Sequence, residues 1–219
     1  MVQSMMHETQ QRPAETGGRA ARAHAVRNSV VESATELFAT AGYRSTDLAT
    51  IAARAGVGEQ DVRSVFGSKN AVLAAALERA VAGDDLPVPT LEREWALEAL
   101  ADPDPRGQLH RQVAGVGDMY LRAAPLLDVV RGAAPTDPEL AELWETNVRQ
   151  RLTVQLAFAC ALAGKTPLRE ELTPETAADV ALAILSPETY HLLVAERKWT
   201  HEAWRAWATA DLTHMLTTL

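Results

Sequence analysis

Leu48–Lys69, LATIAARAGVGEQDVRSVFGSK, decides the fold. Two short segments of helical apolar spacing flank Gly56, one from about Asp47 to Ala55 and one from Gly58 or Glu59 to about Phe66. Ala52 is small enough to let two helices approach closely, and Gly56 supplies a left-handed turn that a side chain would resist. Val57, Val62 and Phe66 are expected to fill the wedge between the helices and to pack on Leu37, Phe38 and Leu48. That leaves Glu59, Gln60, Asp61, Arg63 and Ser64 on the outer face, where a recognition helix carries its base and phosphate contacts. The stretch reads as a helix-turn-helix.

Outward from it, a first helix is expected from about Arg22 to Ala41 on Val26, Val30, Ala34, Leu37, Phe38 and Ala41, ended by Gly42. Ser45 or Thr46 is the expected cap of the second helix. Gly67 stops the third, and Ser68 caps a fourth that runs to about Ala82. No proline lies between Pro13 and Pro87, whereas ten of the eleven lie from Pro87 onwards, so GDDLPVP (Gly83–Pro89) reads as a seam. Beyond it, helices are expected at about 90–101, 106–123, from Pro125 to about Ala133, and at 138–163. Thr173-Pro174 opens a helix to about Arg197 that Pro187 kinks or splits, and a last helix covers about 201–217. The expected class is all-α, about nine helices without a sheet.

The net charge of -8 argues against nucleic acid until the chain is divided. Residues 1–70 carry eight Lys and Arg against seven Asp and Glu, and residues 71–219 carry the other 13 against 22. The acidity belongs to the C-terminal part, and phosphate contacts need only local charge. The one cysteine, Cys160, lies in the apolar run LAFACALAG and reads as a small buried thiol in a reducing, cytoplasmic protein. No run of about 18 uncharged apolar residues indicates a membrane span.

From Arg27 to about Leu77 the chain resembles the DNA-binding domain of the TetR family of transcriptional regulators. The resemblance is carried by Ala34-x-x-Leu37-Phe38, Gly42-Tyr43, Thr46, Ile51-Ala52, Ala55-Gly56-Val57, Phe66, Ser68-Lys69 and Leu73. The stretch from Ser186-Pro187-Glu188 to Trp207 resembles the C-terminal region of many actinobacterial members. Residues 1–18, polar with Pro13, Gly17 and Gly18 and without an apolar signal core, read as a disordered arm; the resemblance implies a helix-turn-helix domain at 19–83 and a ligand-binding and dimerisation bundle at 84–219. It implies phosphate contacts for Thr46 and Lys69, recognition positions at Glu59, Gln60, Asp61, Arg63 and Ser64, and a basic arm of Arg19, Arg22 and Arg27. Two positions depart from the family pattern: Arg63 stands where a tyrosine is usual, and Val65 where His or Tyr is usual.

One recognition helix reads only a few base pairs, so a homodimer on a palindromic operator of double-stranded DNA is expected. Trp199, Trp204 and Trp207 fall within nine residues, and with Leu182, Leu185, Tyr190, Leu193 and Leu212 they are the dimer candidates. The resemblance also implies a small-molecule effector in a pocket between about residues 95 and 180. The candidates to line it are Met119, Tyr120, Trp144, Asn147, Arg151, Gln155 and Asp179, with Arg151 and Asp179 able to form an ion pair instead.

An enzyme is disfavoured: there is no HExxH, Cys/His cluster, GxSxG, P-loop or GxGxxG, and no cofactor or metal is indicated. The rival reading is a helical binding or scaffold protein with weak or lost DNA binding, suggested by the acidic recognition helix.

Overall fold

The structure is a computed structural model that describes residues 12–84, 86 and 88–219, with side chains from Ala21 onwards. Residues 1–11 and the side chain of Arg19, both part of the expected arm region, lie outside what is described. The chain divides into two compact units between Ala76 and Leu77, inside a helix.

The first unit opens with α1 (Arg12–Ser45), so residues 12–18, expected as part of the arm, are helical. Gly42 breaks α1 at φ 77° and ψ 175°, the left-handed region that glycine enters without strain. Then follow α2 (Leu48–Ala55), α3 (Glu59–Phe66) and the start of α4 (Lys69–Ala82). Val30, Ala34, Phe38, Ile51, Val62, Val72 and Leu73 are fully buried. Burying a Val, Leu, Ile or Phe side chain stabilises by about 1.5–3 kcal/mol each, so these few residues hold α1, the short α2 and α3, and the start of α4 together. Val57 and Phe66 are only half-buried, and the Arg27 guanidinium sits 5.3 Å above the Phe66 ring. The expected cap of α2 is corrected: Asp47, not Ser45 or Thr46, accepts from the Thr50 N–H at 2.7 Å.

The second unit holds the rest of α4, α5 (Glu94–Ala101), α6 (Pro105–Ala133), α7 (Pro138–Ala163), α8 (Pro174–Ile184), α9 (Pro187–Tyr190) and α10 (His201–Leu216). No strand occurs among the described residues. Pro125 does not start a new helix, because α6 runs straight through it. It stands on the exposed face, so the Leu121 carbonyl that loses its helix donor can turn to water. Pro187 does split the helix from Thr173: α8 ends at Ile184, and Ser186 caps α9, which passes into a π-helical turn at His191–Glu196.

The core of this unit gathers around α6. Tyr120 is 1% exposed, donates to the Leu185 carbonyl at 2.6 Å, and packs against Tyr190 and Trp204 at 5.5 and 6.2 Å. A polar ladder crosses from α6 to α7. Gln112 donates to Gln155 at 2.7 Å, Gln108 donates to the Phe158 carbonyl at 2.8 Å, and Lys165 donates to Gln108 at 2.6 Å. Giving each of these buried amides a partner avoids the penalty of leaving it unsatisfied. Cys160 is exposed on α7, because Phe158, Ala159 and Leu162 take the buried face.

Candidate nucleic-acid interface and ligand cleft

The turn between α2 and α3 is built by Gly56, at φ 69° and ψ 28°, whose N–H caps the Ala52 and Ala53 carbonyls. The Val57 N–H returns to the Ala52 carbonyl at 3.0 Å, and Ser29 on α1 donates to the Ala55 carbonyl at 2.8 Å. The last carbonyls of α2 are thereby satisfied, and α3 leaves in a fixed direction with Val62 as its buried anchor.

Glu59, Gln60, Asp61, Arg63 and Ser64 are all exposed on α3. Arg63 folds back along the helix: its Nε and Nη2 donate to one oxygen of Glu59 at 3.0 and 2.7 Å. Exposed pairs at this spacing add only about 0.3–0.5 kcal/mol to stability. Gly58 caps α3 without a side chain, and the Asp61 carboxylate lies where a Gly58 Cβ would come within 3.2 Å of it. Asp61 thus sits over the positive end of its own helix.

Two expected phosphate positions differ from each other. Thr46 is 1% exposed, and its hydroxyl donates to the Gly42 carbonyl at 2.9 Å. Its side chain closes the end of α1 and does not face outward. Lys69 is half-buried; its ammonium lies 3.8 Å from the centre of the Tyr43 ring and donates to the Tyr43 carbonyl at 2.9 Å. Tyr43 in turn donates to Asn70. Arg22 is exposed on α1, ahead of Arg27. The Asp47 carboxyl is held below the ordinary carboxylate value, first by the Thr50 N–H and then by the nearby charge of Lys69.

The expected ligand residues do not gather in one place. Arg151 joins two of them: its Nε donates to Asn147 at 2.9 Å and its guanidinium lies 5.3 Å over Trp144. Its acidic neighbour is Glu188 at 3.9 Å rather than Asp179, which is exposed on α8. Tyr120 and Gln155 belong to the core, and burial raises the Tyr120 hydroxyl pKa strongly. Met119 alone lines a cleft of about 490 Å³ in the second unit.

That cleft lies among Val81, Asp84, Arg93, Trp95, Asp118 and Arg122, with Leu86 and Val88 at its edge. Arg93 pairs with Asp84 at 2.9 Å, which holds the Asp84 carboxyl below its ordinary range. Arg122 donates to the Ala80 and Asp118 carbonyls at 3.1 and 2.9 Å. Trp95 lies against the backbone of Gly115, where an added Cβ would stand 2.1 Å from the ring. Trp95 carries no local signal of this role, because the contact joins residues twenty positions apart.

Of the expected dimer residues, Leu185, Tyr190, Trp204 and Leu212 are at most 5% exposed. They are corrected to core of the protomer, where Tyr120 meets Leu185, Tyr190 and Trp204. Leu182, Leu193 and Trp207 are half-buried. Trp199, 38% exposed, stacks edge-on with Trp207 at 6.2 Å, and Leu192 and Met215 are 49% and 46% exposed. Among the described residues no helix is long and apolar enough to cross a membrane.

Residues 30–76 match the family of bacterial regulatory proteins, tetR family. No curated relative matches the chain. Among solved structures, NalD of Pseudomonas aeruginosa, the secondary repressor of the MexAB-OprM multidrug efflux pump, aligns at TM-score 0.67 and 19% identity over 90% of this chain and 98% of that one. A Rhodococcus sp. protein described as a TetR-family transcriptional regulator aligns at 0.67 and 16% over 89% and 100%. A Saccharomonospora viridis protein described as a transcriptional regulator, solved in complex with choline, aligns at 0.68 and 18% over 88% and 98%. At these identities the likeness is one of fold.

Proposed function

We propose that this chain, a TetR-family regulator by its domain at residues 30–76, is a repressor that binds a palindromic operator as a homodimer and is released by a small molecule. The observation that carries the reading is the glycine-turned α2–α3 pair. It buries one face on α1 and leaves Glu59, Gln60, Asp61, Arg63 and Ser64 outward on an eight-residue helix. A helix presented this way enters the major groove.

The dimer forms through the last helices. Trp199, Leu192 and Met215 supply exposed apolar surface there, with half-buried Leu182, Leu193 and Trp207 beside them. The effector takes the cleft beside Trp95 and Met119. Its acidic lining residues, Asp84, Glu92, Glu94 and Asp118, outnumber Arg93 and Arg122, so it favours neutral or cationic molecules over anions. The choline complex of a similar fold supports that class. Helix α4 continues through the division between the units and is the element by which the effector acts on the recognition helix.

The test is selection of bound sequences from random duplex DNA with the full chain. A two-fold symmetric site whose affinity falls steeply with salt supports the reading. Retention without sequence preference, or none at low salt, overturns it in favour of a helical binding protein.

A further inference from the structure

Two of the expected recognition positions, Glu59 and Arg63, are bonded to each other. Arg63 presents five N–H donors, and Glu59 engages two of them along the Nε–Nη2 edge. The Nη1–Nη2 fork is left pointing along a different edge of the same plane. That fork matches the N7 and O6 acceptors of guanine in the major groove, the commonest specific protein–DNA contact.

The carboxylate does two further things. It holds a long, flexible side chain in one orientation before DNA arrives, which reduces the ordering cost of the contact. It also lowers the positive charge at the guanidinium, so that Arg63 gains less from sliding to a phosphate. Both residues lie in the first five positions of α3, the end of a recognition helix that meets base edges. The Asp61 carboxylate lies towards Gly58 at the start of the helix, and Arg63 donates to Glu59.

We propose that Arg63 reads a guanine and that Glu59 is its positioning residue. The inference rests on the DNA-binding reading above.

The test uses the full chain and the duplex found by selection, with each half-site position changed in turn. Arg63→Ala and Glu59→Ala are each expected to reduce discrimination at one guanine by about tenfold or more. Glu59→Ala is expected to bind mismatched duplexes as tightly as before or more tightly, since a negative charge is gone. Arg63→Lys keeps the charge and the salt slope but loses the fork, so it too loses the guanine preference. In the Arg63→Ala background, Glu59→Ala is expected to change nothing further at that position.

Equal weakening on every duplex by Arg63→Ala would place the guanidinium on phosphate and overturn the inference while leaving the DNA-binding reading intact. So would a preference kept in full by Glu59→Ala, or a further loss on adding Glu59→Ala to Arg63→Ala, which would mean that Glu59 reads a base itself. Failure to select any duplex overturns the DNA-binding reading and this inference with it.

Discussion

Gly115→Ala tests how the cleft is built. Gly115 is buried inside α6, and a Cβ there would stand 2.1 Å from the Trp95 ring. Carbon atoms in contact settle at about 3.5–4.0 Å, so the ring must retreat by roughly 1.5 Å. Retreat is resisted because Trp95 is stacked at 6.0 Å on Phe158, itself 1% exposed. Overpacking of this kind costs about 1–3 kcal/mol. Against it stands the gain from replacing glycine by alanine inside a helix, about 1 kcal/mol. In the natural chain the two nearly offset or leave a net loss of up to about 2 kcal/mol. In a Trp95→Ala background the clash is absent, and the same substitution should stabilise by about 1 kcal/mol.

The assay is urea unfolding followed by far-ultraviolet circular dichroism on all four members of the cycle. A coupling of about 1–3 kcal/mol stands clear of the roughly 0.5 kcal/mol scatter of non-interacting pairs. If Gly115→Ala has the same effect in both backgrounds, the close approach of Trp95 to α6 is refuted, and with it this wall of the cleft.

Gly56→Ala should cost about 1–2 kcal/mol in the same assay, because no neighbour lies within 4 Å of the new Cβ and the whole penalty is left-handed backbone; Gly56→Asn should cost clearly less, and equal costs would refute the reasoning. Lys69→Ala should weaken binding to all duplexes alike and reduce the salt slope by about one, whereas Gln60→Ala should change base preference; equal losses on every operator variant would refute the claim for Gln60. Asp47 has a folded pKa below its unfolded value, so its stabilisation is complete above about pH 4 and is lost as pH falls through the lowered folded value; acid titration of Asp47→Asn should lack that part of the unfolding limb. Trp199→Ser should raise the dimer dissociation constant measured by sedimentation without lowering the unfolding midpoint of the protomer, since Trp199 is 38% exposed.

What was legible in the sequence was local. Gly42, Gly56 and Gly67 punctuate the first unit as expected, at φ 77°, 69° and 78°, because left-handed backbone selects its residue. Pro187 ends a helix because Ser186 beside it can cap the next. What failed depended on which face of a helix is buried. Pro125 breaks nothing on an exposed face, and Cys160 lies outward although its run is apolar throughout. The tryptophan cluster looked like surface, but Trp204 is 0% exposed because Tyr120 and Tyr190 meet it from two other helices. The cap of α2 is Asp47 rather than Ser45 or Thr46, a difference of one or two residues that the extended backbone at Asp47 decides. The cleft was not legible, since Trp95 and Met119 line it from two different helices.

The outward position of Cys160 has a practical use. The chain carries a single cysteine, so a thiol-reactive spin label or fluorophore attaches at one known point on α7 with no substitution required. A symmetric dimer then holds two probes related by its own two-fold axis. For the dimer proposed above, their separation would be a ruler across the assembly that needs no change of sequence, to be read with and without duplex DNA or a candidate effector.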